Sequence, residues 1–219
     1  MKKERITVVL KNTIYQYISN NSKEYILVLI IFIIGIFIGV MFINNCQEEQ
    51  ETTIISYINE FIEKFKNIEN LDKQALTISS IKSNITLALI IWLAGTTIIG
   101  MPVVLGLILF RGFCMGYTVS ALSLTIGTGK SLLFCLFGLV IQNILFIPAL
   151  LTMGVSSIKL YKAIVNDRRK ENIKIEIARH SVISILMLGI LACSSVLECQ
   201  ISVALLRFGL CREIFWYFY

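Results

Sequence analysis

The sequence predicts an all-α, polytopic integral membrane helix bundle of about five transmembrane helices, some kinked or broken, with one amphipathic helix outside the membrane. Three observations carry that expectation. Of the 219 residues 56% are hydrophobic and only 16% charged, with a mean hydropathy of +0.78, whereas soluble domains carry about 25% charge. The apolar stretches are as long as a bilayer is thick, which takes about 20 helical residues. The Lys and Arg residues behind the net charge of +6 cluster beside those stretches. They read as topology signals and not as a basic, aromatic-lined surface for nucleic acid. No segment between the apolar blocks is long enough to bury a soluble core of its own, so residues 25–219 form a single membrane domain after a cytoplasmic N-terminal segment, 1–24.

The first span covers residues 25–43, which contain no charge and rise about 28 Å as a helix. Lys2, Lys3, Arg5, Lys11 and Lys23 precede it, and Glu48, Glu49 and Glu51 follow, which places the N-terminus in the cytoplasm. No A-x-A-like cleavage site follows the apolar run, so the segment stays as an anchor. Residues 44–84 are polar, net acidic and extracytoplasmic. Within them Ile54, Ile58, Phe61, Ile62, Phe65 and Ile68 recur at helical spacing, an apolar stripe that must be covered. Its cover is the membrane surface, the protein's own bundle or another protein; in the last case Ile58, Phe61, Ile62 and Phe65 are the partner surface.

Between residues 85 and 153 only Arg111 and Lys130 are charged. The basic segment 154–180, with Lys159, Lys162, Arg168, Arg169, Lys170, Lys174 and Arg179, is expected to be a cytoplasmic loop, so an odd number of crossings lies between. Three are expected, over 85–109, 112–126 and 132–153. Arg111 then marks an inner turn, Lys130 an outer one, and Pro102 kinks the second span. The segment 112–126 is too short to cross a ~30 Å hydrocarbon core upright, so it is tilted, broken or partly re-entrant. A last span over 181–206 leaves the FWYFY tail outside, at the interface that aromatic side chains favour.

Nothing in this pattern assembles a catalytic constellation. The only histidine, His180, falls at a helix start, where a solvated or capping role is expected. Neither H-E-x-x-H nor G-x-S-x-G occurs, and GTGK at 127–130 lacks the spacing of a phosphate loop. The six cysteines form no C-x-x-C pair, and Cys114, Cys135 and Cys193 sit in apolar runs as small hydrophobes. No catalytic, cofactor-binding or metal-ligating residue is assigned, and no enzyme is expected. The polar residues inside the membrane are Arg111, Gln142, Asn143 and Glu198. A carboxylate at the bilayer centre costs about 2.5–3.5 kcal/mol, so Glu198 needs a partner or water. In LVIQNILFIPALL, Gln142 or Asn143 is expected to face the bundle and bond backbone freed at a helix break such as Pro148. Gly35 with Gly39, and Gly112 with Gly116, form two G-x-x-x-G motifs that allow close helix packing, within the bundle or in a homo-oligomer.

The runs IIWLAGTTIIGMPVVLGLILFRGFCMGYTVSAL and LVIQNILFIPALLTMGVSSIKLY resemble the stage II sporulation protein M family of endospore-forming bacteria. The likeness rests on Gly100 to Pro102, Arg111 with Gly112, Gln142 with Asn143, Pro148 with Ala149, and the acidic Glu198 in the last span. One departure is Ile141, where the family often carries proline. The resemblance implies a five-span membrane scaffold, without cofactor, that acts in engulfment of the forespore at the sporulation septum. Its implied partners are membrane lipid and two peptidoglycan-remodelling enzymes, stage II sporulation proteins P and D. The alternative is a permease or transporter subunit, motivated by the breaks at Pro102 and Pro148 and by the buried Glu198.

Overall fold

The structure, a computed structural model, describes residues 15–66, 73–97, 99–126, 141–166 and 170–207; the side chains of 61–66, 73, 75–76, 126, 141–142, 166, 170–172 and 198–207 lie outside that description. Six helices follow one another: α1 (Ser22–Asn44), α2 (Glu48–Lys66), α3 (Lys73–Gly95), α4 (Gly100–Ile126), α5 (Ile141–Asn166) and α6 (Lys170–Arg207). Residues 15–20 add a helical turn before α1, and no strand occurs among the described residues. Five of the helices are long and apolar enough to cross a membrane, over Ser22–Asn44, Thr77–Gly95, Gly100–Thr125, Asn143–Val165 and Ile173–Leu197.

Helix α5 is the centre of the bundle, with 61% of its span buried against 22–28% in the other four. It contributes Phe146, Ala149, Leu150, Met153, Val155 and Ile158 to one core with Val28 and Phe32 of α1, Ala88 and Ile91 of α3, Val104 and Ile108 of α4, and Leu191 of α6. The outer faces stay apolar. Phe37 is 65% exposed and Ile185 69%, and bare faces of that kind belong in lipid, because soluble surfaces rarely leave such patches open.

Helices α1 and α4 run parallel along a glycine seam. A side chain at Gly35 would strike the Leu109 carbonyl, one at Gly39 the Phe113 carbonyl, one at Gly112 the Phe32 carbonyl and one at Gly116 the Ile36 carbonyl. The two motifs thus meet each other inside one chain, bringing backbone against backbone. Above the seam Phe42 stands edge-on to Phe113 at 5.8 Å, and the Ser120 hydroxyl donates to Asn44 Oδ1 at 3.3 Å.

The second and third spans differ from expectation. The chain turns at 96–99 and not at Arg111, so α4 is one continuous helix through both 100–109 and 112–126. The Thr96 and Thr97 hydroxyls donate to the carbonyls of Leu93 and Ala94, closing the end of α3. Pro102 falls in the first turn of α4, where its missing N–H costs nothing, and starts a helix instead of kinking one. Arg111 sits inside α4 with its guanidinium 4.4 Å above the Phe146 ring. The fourth span reaches well past 153: Met153 is fully buried and α5 runs on to Asn166. The expected basic loop 154–180 is helical outside 167–169, with α6 beginning at Lys170. Lys130, expected at the outer turn, and the FWYFY tail lie outside the described residues.

Candidate functional site

Several polar residues of the spans pair across helices as joints. At the start of α1 the Thr152 hydroxyl donates to the Pro148 carbonyl at 2.7 Å. Its proton is committed there, so the Tyr25 phenol donates to Thr152 Oγ1 across 3.1 Å. Pro148 stands inside α5 without ending it, and the joint ties the turn after it to α1.

A second joint holds α3, α5 and α6 together. His180 is 1% exposed, which corrects the solvated or capping role expected from its place in the sequence. Its Nε2 lies 3.4 Å from the Trp92 carbonyl and its Nδ1 2.9 Å from Ser156 Oγ. A carbonyl only accepts, so Nε2 carries the proton and the serine hydroxyl donates to Nδ1. Gly95 leaves the room: a Cβ there would meet His180 Nε2 at 2.8 Å. The indole of Trp92 donates to Ser181 Oγ at 3.2 Å. Further along the same helices Asn84 Nδ2 donates to Ser195 Oγ at 2.7 Å, and that hydroxyl donates to the Leu191 carbonyl at 3.1 Å.

The residues singled out from sequence fall unevenly among these joints. Asn143 is 6% exposed and turned into the bundle, three residues before the Phe146 ring that carries Arg111. The side chains of Gln142 and Glu198 lie outside the described residues, and Glu198 is three residues beyond Ser195 in α6. On α2, Ile58 is half-buried and Tyr57 is 72% exposed; the side chains of Phe61, Ile62 and Phe65 are not described. Helix α2 lies against α4, and its first turns border an open cleft of about 400 Å³ formed with Phe42, Cys46, Glu49, Gln50, Thr53 and Ile54. Cys46, Cys114 and Cys193 are free thiols, and no three His, Cys, Asp or Glu gather as a metal site among the described residues.

Sequence reading misses Asn84, Trp92, Ser156 and His180 as joint residues. A signal is available for part of them: His180, Ser184, Leu191 and Ser195 share one helical face, so small polar residues line a side that apolar counting alone treats as uniform.

Apolar outer faces, five spans and polar joints turned inward define a multi-pass membrane helix bundle. The family model described as Stage II sporulation protein M matches residues 28–203, well over half of the chain, and the protein belongs to that family, which makes it a sporulation-related membrane protein. No match was found among curated proteins or among solved structures.

Proposed function

We propose that the protein is a non-enzymatic membrane scaffold of endospore formation, required for engulfment because it recruits and localises peptidoglycan-remodelling enzymes at the septum. The observation that carries this reading is α2. It is not among the helices long and apolar enough to span and lies against α4, with Glu48, Glu49 and Glu51 in its first turn, and follows α1 after only residues 45–47. With the N-terminus in the cytoplasm, α2 stands on the wall side of the membrane and offers its stripe to an enzyme there. By the family resemblance those enzymes are stage II sporulation proteins P and D.

The bundle's own chemistry favours the same reading over a permease. Among the described residues two polar stations lie along α6, one at His180 to Ser184 and one at Ser194 to Ser195. Met187, Leu188 and Leu191 pack into the core between them, across about 16 Å at 1.5 Å per residue. Proton transfer between two groups needs them within hydrogen-bond reach or one water apart, far closer than these stations.

The test is co-purification from sporulating cells. Phe61→Glu with Phe65→Glu should release the wall enzyme while the protein elutes and unfolds as before. Undiminished co-purification, or a tagged protein absent from the septum, would sink the reading.

A further inference from the structure

The cleft at the corner between α1 and α2 opens where the spans end. Phe42 and Ile54 give it an apolar lining, and Cys46, Glu49, Gln50 and Thr53 complete a volume of about 400 Å³, within the range of ligand pockets. It begins in the last turn of α1 and continues into α2, past the end of the apolar run at Ile43. An acyl chain lying there would face the Glu49 carboxylate, which makes no ion pair among the described residues. Residues 44–60 hold four glutamates and no Lys or Arg, so the cleft suits apolar side chains that arrive beside a cation.

The chain that continues from α6 has both the place and the composition to fill it. Tyr25 of α1 meets Thr152 of α5, and His180 of α6 meets Ser156 one turn away on the same helix, so α5 gives both helices a common level. At 1.5 Å per residue Asn44 stands about 34 Å above the His180–Ser156 joint and Arg207 about 40 Å above it. Both ends therefore lie at the same end of the bundle. Helices α1 and α6 each pack on α5, so at most two interaxial spacings, about 20 Å, separate their axes. Residues 208–219 can span about 40 Å. They read FGLCREIFWYFY, with five aromatic residues following the segment's one cation, Arg212.

From this we propose that residues 208–219 fold back onto this corner of their own chain, with Arg212 at the acidic first turn of α2 and the aromatic residues beyond it in the cleft. Trp216, nine residues past Arg207, reaches about 30 Å. A large ring with a polar edge suits a cleft that is apolar inside and wet at its rim. The acidic turn attracts Arg212 and repels the adjacent Glu213, which leaves that carboxylate to solvent. The inference needs only the two helix ends and the cleft, and holds whether or not α2 recruits a wall enzyme.

Native cysteines stand on both sides of the proposed contact, Cys46 in the cleft and Cys211 beside Arg212. The test is oxidation by copper-phenanthroline in air of the full-length protein in nanodiscs, with those two kept and the other four cysteines replaced by alanine. An intramolecular disulfide between Cys46 and Cys211 should form, read as a linked peptide by mass spectrometry. Thr53→Trp, which fills the cleft, and Trp216→Ser, which empties it, should each slow that reaction about tenfold, equivalent to roughly 1.4 kcal/mol of docking. Ile185→Ala, on the lipid face of α6, should leave it unchanged. Where the cysteine replacements do not fold, removal of residues 212–219 from the otherwise native chain should raise maleimide labelling of Cys46 about tenfold. No intramolecular link, a rate that neither Thr53→Trp nor Trp216→Ser changes, or a truncation without effect on Cys46 overturns the proposal. A link formed only between two chains would assign the cleft to a second copy. A faster link from Cys46 to Cys135, in a chain keeping that pair, would assign it to residues 127–140, and either result overturns the proposal equally.

Discussion

The imidazole of His180 and the hydroxyl of Ser156 meet at 2.9 Å inside the bundle, joining α6 to α5 while the other ring nitrogen reaches the Trp92 carbonyl of α3. One side chain therefore binds three helices at the same level. His180→Ala should remove both bonds and leave a cavity, destabilising the bundle by about 2–3 kcal/mol, because buried groups left unbonded cost roughly 1–3 kcal/mol. Ser156→Ala should cost less, about 1 kcal/mol, since Nδ1 alone loses its donor. Equilibrium unfolding in mixed detergent micelles measures both, and a His180→Ala protein as stable as wild type would show that the joint does not hold the helices.

Among the glycines, two groups that the sequence does not distinguish lie at opposite extremes of packing. Gly35, Gly39, Gly112 and Gly116 each face backbone of the neighbouring helix, whereas a Cβ added at Gly106 or Gly189 would meet nothing within 4 Å. Alanine at Gly39 or Gly116 should cost about 1–3 kcal/mol by overpacking the seam. Alanine at Gly106 or Gly189 should be neutral or stabilise by up to about 1 kcal/mol through helix propensity. The same unfolding assay reads the contrast, and equal effects in both groups would refute the seam.

Much of this bundle is legible in its amino acids. The uninterrupted apolar run of α1 lies within three residues of its helix, and the period of Ile54, Ile58 and Phe61 marks α2, because composition and period are local properties. Charge is the misleading signal. Arg111 suggests a turn because a lone guanidinium in apolar sequence calls for water, yet the Phe146 ring at 4.4 Å gives it a face to rest on. Likewise the basic stretch around Lys159, Lys162 and Arg179 suggests a loop. Long cationic side chains reach the interface from inside a helix, so α5 and α6 run on through it. His180 goes astray with that loop, since its partners Ser156 and Trp92 are distant in sequence and only the packing brings them together.

Asn84 and Ser195 form a joint whose strength can be isolated. Hydrogen bonds between membrane helices average about 0.6 kcal/mol and reach about 1.7 kcal/mol. Their 2.7 Å separation and burial place this pair in the upper part of that range. A double-mutant cycle with Asn84→Ala and Ser195→Ala should give a coupling of about 1 kcal/mol. A coupling indistinguishable from zero would mean that each residue bonds elsewhere.

Tyr17 should make stability fall at alkaline pH. Burial, with the nearby Tyr25 adding to it, raises its phenol from 10.0 to about 12. The folded state thus favours the neutral phenol, so its contribution is complete below about pH 10 and is lost as pH rises from about 10 towards about 12. Tyr17→Phe should flatten that loss relative to wild type and leave stability at neutral pH unchanged or slightly higher, since among the described residues the hydroxyl has no bond to give up. Parallel alkaline unfolding curves for the two proteins would contradict this assignment.

The turn at 96–99 makes a topological prediction that differs from one at Arg111. Ile99 is 84% exposed, whereas Arg111 is half-buried within α4. In a background without the native cysteines, Ile99→Cys should react with a membrane-impermeant maleimide from the same side as Lys23→Cys, and Arg111→Cys should resist labelling from both sides. With the N-terminus in the cytoplasm, Ile99→Cys is protected in intact cells and labelled in inverted vesicles, while Glu49→Cys behaves oppositely. Labelling of Arg111→Cys with protection of Ile99→Cys would return the turn to Arg111. Labelling of Ile99→Cys and Lys23→Cys in intact cells would invert the whole bundle and put α2 in the cytoplasm, away from any wall enzyme. The one experiment therefore tests both the helix boundary and the side of the membrane on which a scaffold of this shape must meet its partner.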